Sequence, residues 1–156
     1  MLNFVIPGMD NVCIENLLID FNGTLGEDGI LIEGLADQLS ELSNSVDICV
    51  VTADTNGTVK EQLKDIPVGV ITFEGKNTSE EKKKIIRSYN PIRTAAIGNG
   101  FNDYKMMREA RLAIGVIGTE GISTNLFSFS DIVVSDIRDA LDLLLKPHRI
   151  IATMRR

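Results

Sequence analysis

Histidine and cysteine are scarce in this chain, with one histidine and two cysteines among 156 residues. Cys13 and Cys49 stand among apolar neighbours without CxxC spacing. A structural zinc site is therefore excluded, and buried, reduced thiols are expected. His148, close to Lys146 and Arg149, reads as a surface residue. Long apolar runs are missing too, and none approaches the roughly 20 residues of a membrane-spanning helix. Asp10 and Glu15 interrupt the first turns of sequence and no basic stretch leads in, so no secretory signal is expected. An excess of positive charge is the third absence. Lys and Arg number 16 against 22 Asp and Glu, a net charge of −6. Such a balance does not suit a protein that coats nucleic acid or an anionic membrane. A few placed cations can still hold a small phosphorylated molecule. What is present is 44% hydrophobic and 24% charged residues, enough to bury a core in one domain over residues 1–156. The expected location is the cytoplasm.

The chain alternates short apolar runs with helical patterns. Strands are predicted at Leu17–Asp20, Val46–Thr52, Val68–Phe73, Thr94–Gly98, Leu112–Val116 and Asp131–Val134. Helices are predicted at Ile32–Leu42, Thr58–Lys64, Ser79–Tyr89 and Asp103–Ala110, with a short one near Ile122–Phe127. A terminal helix begins at Asp139 and is expected to run past Pro147. Continuous apolar strands separated by helices indicate a parallel sheet covered on both faces. The predicted fold is an α/β doubly wound three-layer α/β/α sandwich with a mostly parallel sheet. Ligands in such folds sit at the carboxyl ends of the strands, where strand order reverses.

The segments at those ends carry the chemistry. Asp20-Phe21-Asn22-Gly23-Thr24-Leu25 follows the first strand, Thr52-Ala53-Asp54 closes the second, and Gly98-Asn99-Gly100-Phe101-Asn102-Asp103 follows the fourth. Lys82, Lys83 and Lys84 lie on the helix before that fourth strand. Two carboxylates, a hydroxyl and a lysine at one sheet edge are what phosphoryl transfer through a carboxylate nucleophile requires. Asp20 would attack phosphorus. Gly23 lets backbone N–H groups turn toward phosphoryl oxygens, Thr52 would donate a further hydrogen bond, and a lysine would neutralise charge. Asp20 and Asp103 offer oxygen ligands that suit Mg²⁺.

These segments, in this order, resemble the four motifs of the haloacid dehalogenase superfamily. Within it the chain is most similar to the phosphorylation domain of P-type ATPases, whose D-K-T-G-T, T-G-D and G-D-G-x-N-D motifs are echoed at Asp20, Thr52 and Gly98; Ser130-Asp131-Ile132-Val133-Val134 resembles that domain's ending. The resemblance implies a haloacid-dehalogenase-like Rossmannoid core and a Mg²⁺-dependent phosphatase. It implies Asp20 as nucleophile, with Thr52 and Lys82 as its catalytic companions. Lys82 is preferred because Ile85 and Ile86 follow it; Lys76, Lys83 and Lys84 are rivals. It further implies substrate contacts from Asn22, Gly23, Ala53 and Asn102, and metal contacts from Asp20, the Asn22 carbonyl, Asn99 and Asp103.

Two departures stand out. Most phosphatases of the superfamily carry a general acid two residues after the nucleophile, where this chain has Asn22. An amide cannot protonate a leaving group. Asn99 replaces an aspartate that ligates the metal, and a neutral oxygen should hold Mg²⁺ less tightly. The alternative is thus a catalytically weakened phosphate- or nucleotide-binding regulatory module. The intervals after Asp20 and after Thr52 are too short for a cap domain. An open site leaves room for a small phosphorylated molecule, a phosphoprotein, or shielding by a neighbouring subunit in a homo-oligomer. Neither nucleic acid nor membrane is an expected partner.

Overall fold

Five-residue apolar strands with no charged interruption have to be buried on both faces, and the fold places them so. The computed structural model describes residues 1–54 and 57–156. The chain opens with an antiparallel hairpin, β1 (Leu2–Phe4) and β2 (Val12–Ile14), then enters the central strand β3 (Asn16–Asp20). A small hairpin, β4 (Gly26–Glu27) and β5 (Ile30–Leu31), precedes α1 (Ala36–Ser43). β6 (Asp47–Thr52), α2 (Thr58–Gln62), β7 (Gly69–Thr72) and α3 (Thr78–Ser88) follow. The second half holds β8 (Thr94–Gly98), α4 (Tyr104–Glu109), β9 (Leu112–Val116), β10 (Ile132–Val134), α5 (Ile137–Leu145) and α6 (Pro147–Met154).

Six strands form one sheet in the order β10-β9-β8-β3-β6-β7. Every pairing in it is parallel. From β3 the chain builds outward through β6 to β7. It then returns to the other side of β3 and builds outward again through β8, β9 and β10. The reversal lies between β3 and β8, so Asp20 and Gly98 end the two strands at the crevice where a doubly wound sheet binds its ligand.

Alternation along each strand divides the core into two layers. Leu17, Ile19, Val50, Ile97 and Ile114 join the layer that also holds Leu39 of α1 and Leu141 of α5. Leu18, Val51 and Ala96 point the other way, toward Ile86 of α3 and Met106 of α4. On α3 the buried residues are Ser79, Lys82 and Ile86. Their three- and four-residue spacing sets them on one helical face. A lysine among them is carried into the protein by the helix's own periodicity.

Several expected boundaries move. The helix expected from Ile32 starts at Ala36, because Gly34 adopts a left-handed φ of +85°. The residues before it fold into the β4–β5 hairpin around Asp28-Gly29, both at positive φ. This is the pair a two-residue hairpin turn favours. The short helix expected near Ile122–Phe127 is a 3₁₀ segment over Thr124–Ser128. The terminal helix does not run through Pro147. Lys146 leaves helical geometry at φ −121° and ψ 75°, and α6 restarts with Pro147 in its first turn. The residue before a proline disfavours the helical region, and proline suits a helix start.

Candidate active site

Asp20 ends the central strand of the sheet and is 5% exposed. The chain then turns tightly: Gly26 N–H and Thr24 N–H donate to the Phe21 carbonyl at 2.7 and 3.1 Å, and Gly23 N–H donates to Gly26 O at 2.8 Å. Gly23 has φ +76°, and a Cβ there would meet Asn99 Nδ2 at 2.2 Å. Only glycine fits. The turn brings the buried Thr24 hydroxyl to 3.4 Å from Asp20 Oδ2 and 3.2 Å from Asn99 Oδ1.

Lys82 reaches this strand end from α3, whose first turn is capped by Asn77 accepting from Glu80 N–H. Its ammonium, completely buried, donates to Asp20 Oδ1 at 2.5 Å and to Asp103 Oδ1 at 2.6 Å. The rival lysines stand elsewhere. Lys84 pairs with Glu81 on the surface, Lys83 lies 3.9 Å from Glu109, and Lys76 is exposed.

Asp103 is also fully buried. Its second oxygen accepts from Asn99 N–H at 3.1 Å and Gly100 N–H at 2.9 Å. A Cβ at Gly98 would stand 2.6 Å from the Asp103 carboxyl carbon, so glycine at the end of β8 is what allows the carboxylate to fold back over the strand end. Asn99 is held as firmly: its amide nitrogen donates to Gly121 O at 3.0 Å, and its carbonyl accepts from Ser123 N–H at 2.8 Å. The amide oxygen is thereby turned toward Thr24.

Thr52 ends β6, beside β3, and is 1% exposed. Its Oγ1 is the one buried side-chain polar atom among the described residues with no hydrogen-bond partner. Burying a hydroxyl without a partner is costly, so the Thr52 hydroxyl has a free hydrogen-bonding capacity at this strand end. Ala53 follows, half-buried, while the Asp54 carboxylate turns away to accept from Val59 N–H at 2.9 Å. Asn22 is exposed and Asn102 half-buried.

The centre is electrostatically uneven. Two buried carboxylates face one buried ammonium. Burial pushes the Asp20 carboxyl up to about 7, the charge of Asp103 adds to the rise, and Lys82 pulls against both. For Lys82, burial works to lower the pKa, but the charges of Asp20 and Asp103 outweigh it and hold the ammonium above its ordinary range. The site therefore has capacity for further positive charge.

Of the residues singled out by sequence, Asp20, Lys82, Asp103, Asn99 and Gly23 are joined by contacts, and Thr52 stands on the adjoining strand end. Sequence reasoning quoted Thr24 but gave it no part. Its place in the motif segment was the available signal, and its contact with Asn99 needs the fold to bring residues 75 apart together.

No protein-family model matches the chain. A stretch of 60 residues, 38% of this chain, is 55% identical to an uncharacterized protein of Methanocaldococcus jannaschii and covers 64% of it. A stretch of 65 residues, 42% of this chain, is 40% identical to phospholipid-transporting ATPase VD of Homo sapiens and covers 4% of it. The chain thus spans less than two thirds of either relative. Among solved structures, 3-deoxy-D-manno-octulosonate 8-phosphate phosphatase from Moraxella catarrhalis, in complex with magnesium, phosphate and KDO, matches with a TM-score of 0.71. That match covers 91% of this chain and 94% of that one at 20% identity. The cobalt-bound phosphatase of the same name from Haemophilus influenzae matches at TM-score 0.71, 14% identity, and 92% and 94% coverage. The chain shares the α/β fold of these solved phosphatases, a six-stranded parallel sheet covered by helices.

Proposed function

We propose that this protein is a Mg²⁺-dependent phosphohydrolase working through an aspartyl-phosphate on Asp20, as a single capless core domain over residues 1–156. The observation that carries the reading is the buried Asp20–Lys82–Asp103 cluster at the topological switch point. The unpartnered Thr52 hydroxyl beside it supports the same reading.

The residues fit a hard divalent cation. Every donor is an oxygen, the carboxylates outnumber the ammonium, and Mg²⁺ needs only one or two carboxylates because it keeps several waters. Asp20, the Asn22 carbonyl and Asn99 Oδ1 would hold it. Asp103, whose oxygens already accept from Lys82, Asn99 and Gly100, would act from just outside. When bound, Mg²⁺ supplies the positive charge that draws electron density from the transferring phosphoryl group.

The chain's own residues do the rest. The Asp20 carboxylate attacks phosphorus, an acyl phosphate bond forms, and the bond to the leaving oxygen breaks with its electron pair. Lys82 offsets the charge of Asp20 and fixes its orientation. Thr52 donates to a phosphoryl oxygen. Water then attacks phosphorus, releasing inorganic phosphate and regenerating Asp20.

Asn22 sets the preference. With no acid at that position the leaving oxygen departs without a proton, so acyl and aryl phosphates should be hydrolysed well and alkyl phosphates poorly. Turnover of p-nitrophenyl phosphate against sugar phosphates checks this. Asn22→Asp should raise turnover on the alkyl esters by about 10²-fold. Equal turnover of both classes by the wild type would contradict the reading. An inert wild type over a broad phosphate panel would favour the binding-module alternative, for which the asparagines at 22 and 99 speak.

The two free cysteines support a reducing, cytoplasmic setting. Among the described residues no helix is long and apolar enough to cross a membrane. Small phosphorylated molecules are the expected substrates, and the uncapped site would admit a phosphoprotein or a neighbouring subunit.

A further inference from the structure

On the outer side of α3 and α4, facing away from the sheet, lies a cavity of about 270 Å³ lined by Lys83, Arg87, Tyr104, Lys105, Arg108 and Glu109. We propose that this cleft is a binding site for a small phosphate-bearing anion, separate from the carboxylate centre at Asp20. The inference does not depend on the reaction proposed above.

The charge count is the first reason. Four cations line the cleft, and only Glu109 within it and Glu80 at its lip oppose them. Elsewhere the chain is acidic, with a net charge of −6 overall. A local excess of positive charge in an otherwise acidic chain concentrates positive potential at one place and draws anions to it.

How the cations are committed is the second reason. Arg87 is satisfied, its Nε and Nη2 donating to the two Glu109 oxygens at 2.7 and 2.6 Å. Lys105 pairs with Glu80. Lys83 has only a 3.9 Å approach to Glu109, whose carboxylate Arg87 already engages. Arg108 makes no hydrogen bond or ion pair with another described residue. Lys83 and Arg108 therefore share with Arg87 the single charge of Glu109, and the cleft keeps an excess of positive charge.

Third, the two lysines of the cleft are not freely solvated side chains. Lys84, on the same helix, is the ordinary case: 69% exposed and paired with a neighbour one turn away. Lys83 is 30% exposed and Lys105 23%. Both are partly covered by the protein, so less rotamer freedom is lost when a ligand binds. Tyr104 gives the cleft a stiff wall, its ring 5.2 Å from Phe101 and 5.8 Å from Phe129, with the Lys105 ammonium 5.6 Å from its centroid. A guanidinium fork and an ammonium about a cavity this small suit the clustered oxygens of a phosphate or diphosphate group, which Arg engages in bidentate fashion.

The position has a consequence for the centre. Lys83 adjoins Lys82 on α3, and α4 begins at the residue after Asp103. A ligand in the cleft touches the two helices that border the buried cluster.

The test is titration of the full chain with inorganic pyrophosphate, without divalent cations, followed by amide proton–nitrogen spectra. The expected result is saturable shifts at residues 83–87 and 104–109, with affinity weakened about ten-fold by Arg108→Gln. That side chain is exposed, so the variant should fold, and far-UV circular dichroism checks it. Lys83→Gln added to it should weaken binding further, while Thr52→Val leaves these shifts unchanged. Shifts confined to Asp20, Thr52 and residues 98–103 would overturn the proposal. So would undiminished binding by a folded Arg108→Gln, or no saturable shift at all.

Discussion

The carboxyl ends of β8 and β6 lie on opposite sides of Asp20, and they are finished differently. At the end of β8 the buried polar side chains are engaged: Asp103 accepts from Lys82 and two backbone amides, and Asn99 is held by Thr24, Gly121 and Ser123. At the end of β6 the Thr52 hydroxyl is buried and engaged by nothing described. One side is a completed frame and the other keeps a donor open. On the proposed reading, the difference separates residues that hold the centre in shape from a residue left open to bind.

The largest effect should come from breaking the finished side. Asp103→Ala leaves one buried and one half-buried amide without an acceptor and Lys82 with one partner fewer. The orphaned amides cost roughly 1–3 kcal/mol, while Lys82 keeps Asp20 as its partner. Urea unfolding with and without the substitution measures it, and a loss below about 1 kcal/mol would mean the frame is not held as described.

A middle-sized effect concerns pH. A carboxyl whose pKa is raised by folding stabilises the fold in its protonated form. For Asp20 that contribution is complete below the ordinary value of 3.8 and is lost as pH rises through about 7. Metal-free protein should therefore lose stability across that interval relative to Asp20→Asn, in which the titration is removed. Thermal melts of the two proteins from pH 4 to pH 8 give the comparison; parallel curves would contradict the placement of two carboxylates against one ammonium.

The smallest effect on stability is expected on the open side. Thr52→Val removes a hydroxyl with no hydrogen-bond partner among the described residues, so stability should change by no more than about 1 kcal/mol. Phosphate or vanadate affinity should nonetheless fall by about ten-fold, the worth of one hydrogen bond to a charged group. Removing Asp103 should harm the fold first, and removing the Thr52 hydroxyl should harm binding alone. An equal stability loss in the two variants would erase the distinction between the two strand ends.

Much of the frame is legible in one dimension because buried strands leave an unbroken mark. Ala95-Ala96-Ile97 and Leu112-Ala113-Ile114 can hardly be anything else when helical patterns separate them. The site's chief residues are legible for a related reason, since they sit where those strands stop. What escapes is set by short pieces and by distance. Leu2–Phe4 and Val12–Ile14 are three-residue strands, too short for alternation to register. The β4–β5 hairpin did carry a signal, the Asp28-Gly29 pair, which the surrounding glycines obscured. Lys82 could be preferred over its neighbours from the isoleucines that follow it. The structure refines the reason, because the buried stripe it shares is with Ser79 and Ile86, while Ile85 is only half-buried. That Asp103 accepts from the backbone of its own loop, and that Asn99 presents its oxygen to Thr24, follow from turn geometry that a motif spelling does not contain. The cleft between α3 and α4 was likewise hidden. In sequence Lys82, Lys83 and Lys84 read as one charged run, and only the helix separates them into a buried, a half-buried and an exposed lysine.

The central claim is that Asp20 accepts the phosphoryl group. Its most direct measurement is to mix the Mg²⁺-loaded protein with acetyl phosphate, quench in acid, and map the product by peptide mass spectrometry. The account predicts one phosphoryl group on the peptide containing Asp20, absent from Asp20→Asn. A phosphoryl group on any other residue, or turnover that survives in Asp20→Asn, would contradict it.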